Sequence, residues 1–294
     1  MYFGKKTSAF TEPSWARTEQ LNKALETADA IVVGAGAGLS TSSGLHYSGP
    51  RFETHFGDFI EKYRFPDMYT AGFYPYPTPE EYWAYWSRHI YWNRYDRPVG
   101  EAYRLLLELV GGREYFVLTT NVDHCFQDAG FDEERIFATQ GDYGLWQCSL
   151  PCCERTFGNE EAVRRMVELQ RDMRIPTELV PKCPACGRPM AMHLRCDDRF
   201  VQDAAWYAAQ ARCTGFLSRH RTGRVVYLEL GVGGNTPAII KYPFWRFTRE
   251  NPDAVYACIN PEPWPLPVEI APRAVWIGAD IRKTLEEIIK SRAK

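Results

Sequence analysis

ADAIVVGAGAGLSTSSGL, residues 28–45, opens on a short apolar run and then breaks into glycine, alanine and hydroxyl residues. The apolar part, Ala30 to Val33, reads as a buried strand. A strand running straight into small residues is how a sheet enters a phosphate-binding turn. Glycine lets the backbone approach a pyrophosphate, and the first N–H groups of the following helix attract its charge. Gly34, Gly36 and Gly38 stand in the turn, and Ser40, Thr41, Ser42 and Ser43 crowd it with hydroxyls. The same residues would also serve a strand-to-helix corner that holds no ligand. The usual dehydrogenase fingerprint, with an acidic residue about 20 positions on to read a ribose, fits this stretch poorly.

Outward from this stretch the pattern repeats. EYFVLTTN (114–121), VVYLELGVGG (225–234), AVYACIN (254–260) and RAVWIGAD (273–280) each read as a strand ending in small or polar residues, which makes five. Ligands of open α/β sheets sit at that C-terminal edge. GEAYRLLLELV (100–110) and DIRKTLEEIIKS (280–291) read as helices. The expected fold is α/β, a doubly wound parallel sheet of Rossmann-like type built from residues 1–45, 101–146 and 200–294. Two inserts interrupt it and form a smaller zinc-binding and helical domain. Residues 46–100 are the helical insert, where aromatic side chains crowd together from Tyr69 to Tyr95. They read as the core of a small module, with an acceptor channel or a docking face as the alternative. Residues 147–199 are the second insert, with six of the nine cysteines and a charged helix, NEEAVRRMVELQRDM.

Cysteines at short spacing in a large chain read as metal ligands. QCSLPCC carries Cys148, Cys152 and Cys153, and PKCPACG carries Cys183 and Cys186. Four thiolates closing a tetrahedron would make a structural zinc site with no open position for chemistry. Cys148, Cys183 and Cys186 need one more ligand, Cys152 or Cys153, and Cys152 is the choice made here. Free thiols or a redox CxxC are the alternatives. Cys125, Cys196, Cys213 and Cys258 read as small buried hydrophobes.

With 45% hydrophobic residues over 294 positions the chain can bury a full core. Lys+Arg at 35 against Asp+Glu at 37 gives a formal charge of -2, no footprint for phosphate backbones or anionic lipid. Nucleic acid is therefore not an expected partner. No run reaches 18 apolar residues and the first residues lack an apolar leader, so neither a membrane span nor export is expected, and the cytoplasm is the expected compartment.

Residues 36–45, GAGLSTSSGL, resemble the sirtuin signature GAGxSxxxGI, and TTNVD, 119–123, resembles the sirtuin TQNID. ATQGDYG, 138–144, stands where sirtuins carry a catalytic histidine followed by glycine. ACIN, 257–260, and IGAD, 277–280, are similar to the strand end and the last turn that contact the nucleotide. These matches run in family order over most of the chain. They imply NAD as co-substrate. Gly36, Ala37, Gly38 and Ser40 would lie at the first turn and Asn260 and Asp280 at the last contacts. Asn121 would orient the nicotinamide ribose, and Asp123 would hold the nicotinamide amide.

Three departures qualify the resemblance. Gln140 occupies the histidine position, and a primary amide cannot act as a base although it can bond a ribose. His46, Tyr47, Ser48, Gly49, Pro50, Arg51 and Phe52 replace PDFR. GVGGNTPA, 231–238, replaces GTSLxVxPA, so Tyr47, Gly231, Gly233 and Asn235 are the NAD contacts expected in the two altered stretches. All three are similar to the macrodomain-linked class M sirtuins, a branch associated with protein ADP-ribosylation. The resemblance implies a lipoylated carrier protein of the glycine-cleavage type as acceptor, with a macrodomain ADP-ribosyl hydrolase and lipoate-attaching enzymes as company. Asn121, Gln140 and Asp123 are the expected catalytic set. A lysine deacylase that tolerates Gln140, a non-catalytic NAD or ADP-ribose sensor and an NAD hydrolase are the alternatives. His124, next to Asp123, reads as a structural histidine, because neighbours on an extended segment point apart.

Overall fold

A computed structural model describes residues 14–234 and 236–292. Strands β1 (Ala30–Ala35), β2 (Tyr115–Thr119) and β3 (Ile136–Ala138) begin one sheet. β4 (Gly141–Cys148), β5 (Phe157–Gly158) and β6 (Met190–Leu194) make a second, and β7 (Val225–Leu230), β8 (Val255–Ile259) and β9 (Ala274–Ile277) return to the first. The six-stranded sheet is ordered β3-β2-β1-β7-β8-β9, and every pairing in it is parallel. From β1 the chain winds one way through β2 and β3, then crosses back to wind the other way from β7. The order therefore reverses between β1 and β7, and a crevice lies at the C-terminal ends of the strands around that switch point.

β1, β2 and β7 are buried at every position, which is why they read as unbroken apolar runs. Ile31, Val33 and Ala35 join one helical layer with Leu21, Leu106 and Leu285. Ala30 and Val32 join the other with Trp206, Phe216 and Phe244, the two-residue alternation of a strand. On β7 that alternation puts Glu229 into the second layer with no exposure. Lys241, equally buried, pairs with it, and the Tyr256 hydroxyl donates to its other oxygen at 2.7 Å. A buried charge is tolerable only when paired in this way.

The second sheet is antiparallel, ordered β5-β4-β6. Phe52, Phe56, Trp83 and Tyr85 pack with Trp146, Met166 and Met190 in a third core, so the two inserts bury their apolar faces against each other. Most of the aromatic crowd is thus core. Tyr69 and Phe73 depart from this: they are 58% and 57% exposed, with rings 4.9 Å apart. Among the described residues no helix is long and apolar enough to cross a membrane.

Four expectations are corrected. The sheet has six strands rather than five, because β3 is three residues long and gives no apolar run. β1 continues to Ala35, so Gly34 belongs to the strand and not the turn. A Cβ there would lie 2.4 Å from Ile240 and 2.5 Å from Phe244, and the glycine makes room for a covering helix. The border expected at residue 147 falls inside β4, which begins at Gly141 and lies in the second sheet throughout. Cys196 is exposed rather than buried, because β6 stops at Leu194 and releases the chain to the surface. Cys125, Cys213 and Cys258 are buried as expected.

Candidate active site

A cavity of about 610 Å³ occupies the crevice above β1. Its walls come from the turn after β1 (Gly36, Ala37, Ser40), the segment after β2 (Asn121, Asp123) and Gln140 just before β4. Tyr47 and Gly233 complete the expected residues that reach it. Sequence distances of up to two hundred residues are closed here by parallel strands that end side by side.

Ser40 and Asn121 tie these segments together, and their hydrogens can be assigned. Ser40 Oγ is 2.5 Å from Asp123 Oδ2, and a hydroxyl facing a carboxylate must donate. Tyr103, 2.8 Å from the same Oγ, then donates to it. Asn121 Nδ2 donates to Gly36 O at 3.0 Å and lies 3.1 Å from both Ser40 Oγ and Tyr103 Oη. The carbonyl of Gly36 fixes which end of the amide is nitrogen. Asn121 Oδ1 has no protein partner among the described residues, so it is an acceptor left for a ligand. Asp123 Oδ1 takes the Cys125 N–H at 3.0 Å, and its backbone carbonyl takes Arg97 Nη2 at 2.5 Å. The carboxylate is thereby locked, and burial with the Asp123 charge nearby pushes the Tyr103 phenol well above its usual value.

The glycines of the turn act differently from the expectation. Gly36 N–H donates to Leu230 O and Gly38 N–H to Gly231 O, both at 3.0 Å, so neither is free for a phosphate. A Cβ on Gly38 would lie 2.6 Å from Gly231 Cα, and one on Gly231 would lie 2.5 Å from Gly38 Cα. The residues are small because the loops after β1 and β7 touch backbone to backbone. Gly231 also has a φ of +61°, which disfavours a side chain. Gly231→Ala is expected to destabilise the fold by about 2–4 kcal/mol, overpacking plus left-handed strain. Gly233→Ala, with open space around its Cβ, should leave stability unchanged, and urea unfolding of the two variants checks the contrast.

Gln140 lines the cavity, and its side chain makes no hydrogen bond among the described residues. His124 is turned away: a left-handed φ of 65° ends the extended segment, and its Nδ1 meets Asp142 Oδ2 at 2.5 Å. Burial alone would raise the Asp142 carboxyl, but His124 and Arg94 hold it below the usual carboxylate value. Asn260 bonds Val232 O at 3.1 Å and so supports the β7 loop without reaching the cavity. Asp280 accepts from Ser42 Oγ at 2.9 Å and lines a neighbouring, more open cavity that shares Thr41 with the first. Asn235 lies outside the described residues. Sequence reading missed Tyr103, Tyr143 and Arg97. Tyr143 stood inside the quoted ATQGDYG, whereas Tyr103 and Arg97 belong to no motif.

The four cysteines expected as ligands, Cys148, Cys152, Cys183 and Cys186, have sulfurs within 4.8 Å of one another. Cys148–Cys186 is 3.6 Å and Cys152–Cys183 is 3.7 Å. Thiolates about 2.3 Å from a common zinc would be about 3.8 Å apart, and a disulfide would need about 2.05 Å, so the cluster has the size of a zinc tetrahedron. Cys153 approaches Cys152 at 4.0 Å and stays outside the set. Gly187, at φ +74°, turns the second pair so that its N–H donates to Cys183 O at 2.8 Å.

No protein-family profile matches the chain. The protein ADP-ribosyltransferase of Staphylococcus aureus is 42% identical over 276 residues, covering 94% of this chain and 88% of that one. A probable bifunctional ADP-ribose hydrolase/ADP-ribosyltransferase of Fusarium oxysporum is 31% identical over 232 residues, covering 74% of this chain and 38% of its own length. An NAD-dependent protein deacylase of Thermus thermophilus is 27% identical over 202 residues, covering 66% of this chain and 68% of its own. Among solved structures, Sir2 with p53 peptide and NAD+ gives a TM-score of 0.56 at 19% identity, covering 94% of this chain and 98% of that one. Sir2 bound to acetylated peptide gives 0.57 at the same identity and coverage. At that identity the likeness is one of fold.

Proposed function

The chain belongs to the sirtuin-type protein ADP-ribosyltransferases, and we propose that it breaks the nicotinamide–ribose bond of NAD in the cavity at Asn121 and moves ADP-ribose onto a lipoylated carrier protein. The observation that carries this reading is the pair of amides in the cavity, Asn121 with an unused Oδ1 and Gln140 with an unused side chain, where a deacylase needs a base. Neither titrates near neutrality. His124, the nearest histidine in sequence, is engaged with Asp142.

The residues present suit a dinucleotide. Gly36, Ala37, Ser40, Tyr47 and Gly233 would hold the reacting half, and Asp280, in the adjoining cavity, would hold the other. NAD supplies an activated glycosidic bond whose electrons leave with the nicotinamide nitrogen, turning a pyridinium into a neutral ring. The acceptor's lone pair forms the new bond at the same sugar carbon, and any proton it carried passes to solvent. Asn121 fixes the sugar against Ser40 and Gly36, Asp123 holds the leaving ring, and Gln140 bonds the ribose without removing its proton. Positioning of this kind lowers a barrier that needs no base.

A macrodomain ADP-ribosyl hydrolase fits as the partner that removes the mark. The Fusarium relative names both activities in a single protein and extends well beyond the match. The cytoplasm, where thiols stay reduced, suits the zinc cluster. Mass spectrometry after incubation with NAD tests the reading. The lipoylated carrier should gain one ADP-ribose mass while the unlipoylated carrier gains none, and the hydrolase should reverse it. Equal modification of both carriers would remove the lipoyl requirement. Loss of the acyl group from an acyl-lysine peptide would make the protein a deacylase and overturn the argument from Gln140.

A further inference from the structure

An unbroken line of hydrogen bonds runs from the cavity wall into the core of the small module. Tyr47 Oη is 2.7 Å from Tyr143 Oη, which is 2.9 Å from His89 Nε2. His89 Nδ1 is 3.2 Å from Tyr85 Oη, and Tyr85 Oη is 2.6 Å from Met68 O. Tyr47 and Tyr143 line the cavity, while His89 and Tyr85 are buried at 2% and 0% exposure. None of the residues behind Tyr47 belongs to the site as read from the sequence.

The direction of every proton in this line follows from its inner end. A carbonyl only accepts, so the single Tyr85 hydrogen goes to Met68 O. Tyr85 Oη can then meet His89 only as an acceptor, which places the imidazole proton on Nδ1. His89 Nε2 is left bare and takes the Tyr143 hydrogen, and Tyr143 Oη takes the hydrogen of Tyr47. What Tyr47 has left for the cavity is a lone pair. The line cannot work as a base, since a proton taken up at Tyr47 would have to come to rest on His89. Burial, helped by the charge of Arg51, keeps that ring neutral down to a pKa of about 3.

We propose that Tyr47 is an obligate hydrogen-bond acceptor for an O–H or N–H group of the bound dinucleotide, and that Tyr143 and His89 are positioning residues that set its polarity. This rests on the functional reading above and adds a selection to it: the ligand must bring a donor to this point. The donor is a ribose hydroxyl or the nicotinamide amide. Two further acceptors, Asn121 Oδ1 and the Gln140 side-chain oxygen, line the same cavity. Buried acceptors without donors are penalised, so a ligand rich in hydroxyl groups is favoured there.

The test combines kinetics with a readout that needs no NAD. Tyr47→Phe is expected to lower kcat/KM for NAD about tenfold. His89→Leu frees the Tyr143 hydrogen to turn toward Tyr47, whose own hydrogen then points into the cavity, and should lose as much. His89→Gln, able to accept from Tyr143 and donate to Tyr85, should recover most of the His89→Leu loss. The double variant Tyr47→Phe/His89→Leu should be no worse than Tyr47→Phe alone. Losses that add would show His89 acting independently and overturn the proposal, as would a Tyr47→Phe variant with wild-type kcat/KM. Nitrogen-15 resonances of His89 in the protein without NAD should show a neutral ring protonated at Nδ1, and an Nε2–H ring or an imidazolium would overturn the line itself. With the acetylpyridine analogue of NAD, which lacks the amide N–H, a persisting Tyr47→Phe penalty identifies a ribose hydroxyl as the donor, and a vanished one identifies the amide. A wild-type protein that releases no nicotinamide would strike the functional reading, while the resonances would still decide the line.

Discussion

Asn121→Ala is expected to lower nicotinamide release by about 10²–10³-fold, the size of effect found when one oriented polar group is removed from a reacting centre. The reason is the assignment of its hydrogens. Nδ2 is spent on Gly36 O, Ser40 Oγ and Tyr103 Oη, so the amide is held rigidly and only Oδ1 is offered to the sugar. Alanine removes both the offered atom and the clamp between the loops after β1 and β2. The Gly36 carbonyl keeps the Leu39 N–H at 3.0 Å, so losing the Asn121 donor should cost only about 0.5–1.5 kcal/mol of stability. Asn121→Asp sharpens the test. It keeps an oxygen toward the cavity but turns a second oxygen on the Gly36 carbonyl and sets a new charge close to Asp123. It should therefore lose activity as fully as alanine while being less stable. Nicotinamide release measured without any protein acceptor, with thermal melts of both variants, separates the two effects. Near-normal release by Asn121→Ala would remove this residue from the reacting centre.

The part of the site that could be read from sequence is the part that is contiguous in it. GAGLSTSSGL and TTNVD each pack several site residues into one turn at a strand end, so a strand signal and a handful of polar residues predict both position and role. Tyr103 and Arg97 could not be read this way. They come from helical or connecting segments with no motif, and reach the site only because parallel strands bring distant turns together. His89 and Tyr85 sat in plain view within the aromatic crowd, but nothing local separates a hydrogen-bonded line from ordinary core. The strand assignments held wherever burial on both faces left an apolar run, and missed β3, where three residues suffice, together with all three strands of the second sheet. Glycine gave the right place for the wrong reason: Gly36, Gly38 and Gly231 mark the meeting of two backbones rather than bare N–H groups. Spacing left the fourth ligand open between Cys152 and Cys153, and only the fold groups Cys152 with Cys148, Cys183 and Cys186.

Zinc removal is expected to have the widest effect of any change to this protein, because the metal and the cavity share a strand. β4 starts at Gly141, beside Gln140, carries Tyr143 in the cavity wall, and ends at Cys148 in the thiolate cluster. The seven steps between Gly141 and Cys148 span about 23 Å at about 3.3 Å per residue. β6 pairs with β4 and delivers Leu194 and Arg195 to the same cavity. β5, the other neighbour of β4, is two residues long, so few backbone bonds hold this sheet if the cluster opens. Structural zinc contributes on the order of 10–16 kcal/mol to small modules at neutral pH, comparable to the net stability of a whole domain at about 5–15 kcal/mol. The purified protein should hold one zinc per chain. A strong chelator, or Cys183→Ser, should release it, melt the β4–β6 sheet and abolish nicotinamide release, although no cysteine of the cluster touches the reacting centre. Cys152→Ser should do the same, and Cys153→Ser should keep both metal and activity. Metal analysis and circular dichroism of these variants check each step. Full activity in a zinc-free protein would show that the thiol cluster is not what aligns β4, and retention of zinc by Cys152→Ser with its loss by Cys153→Ser would move the fourth ligand one residue along the chain.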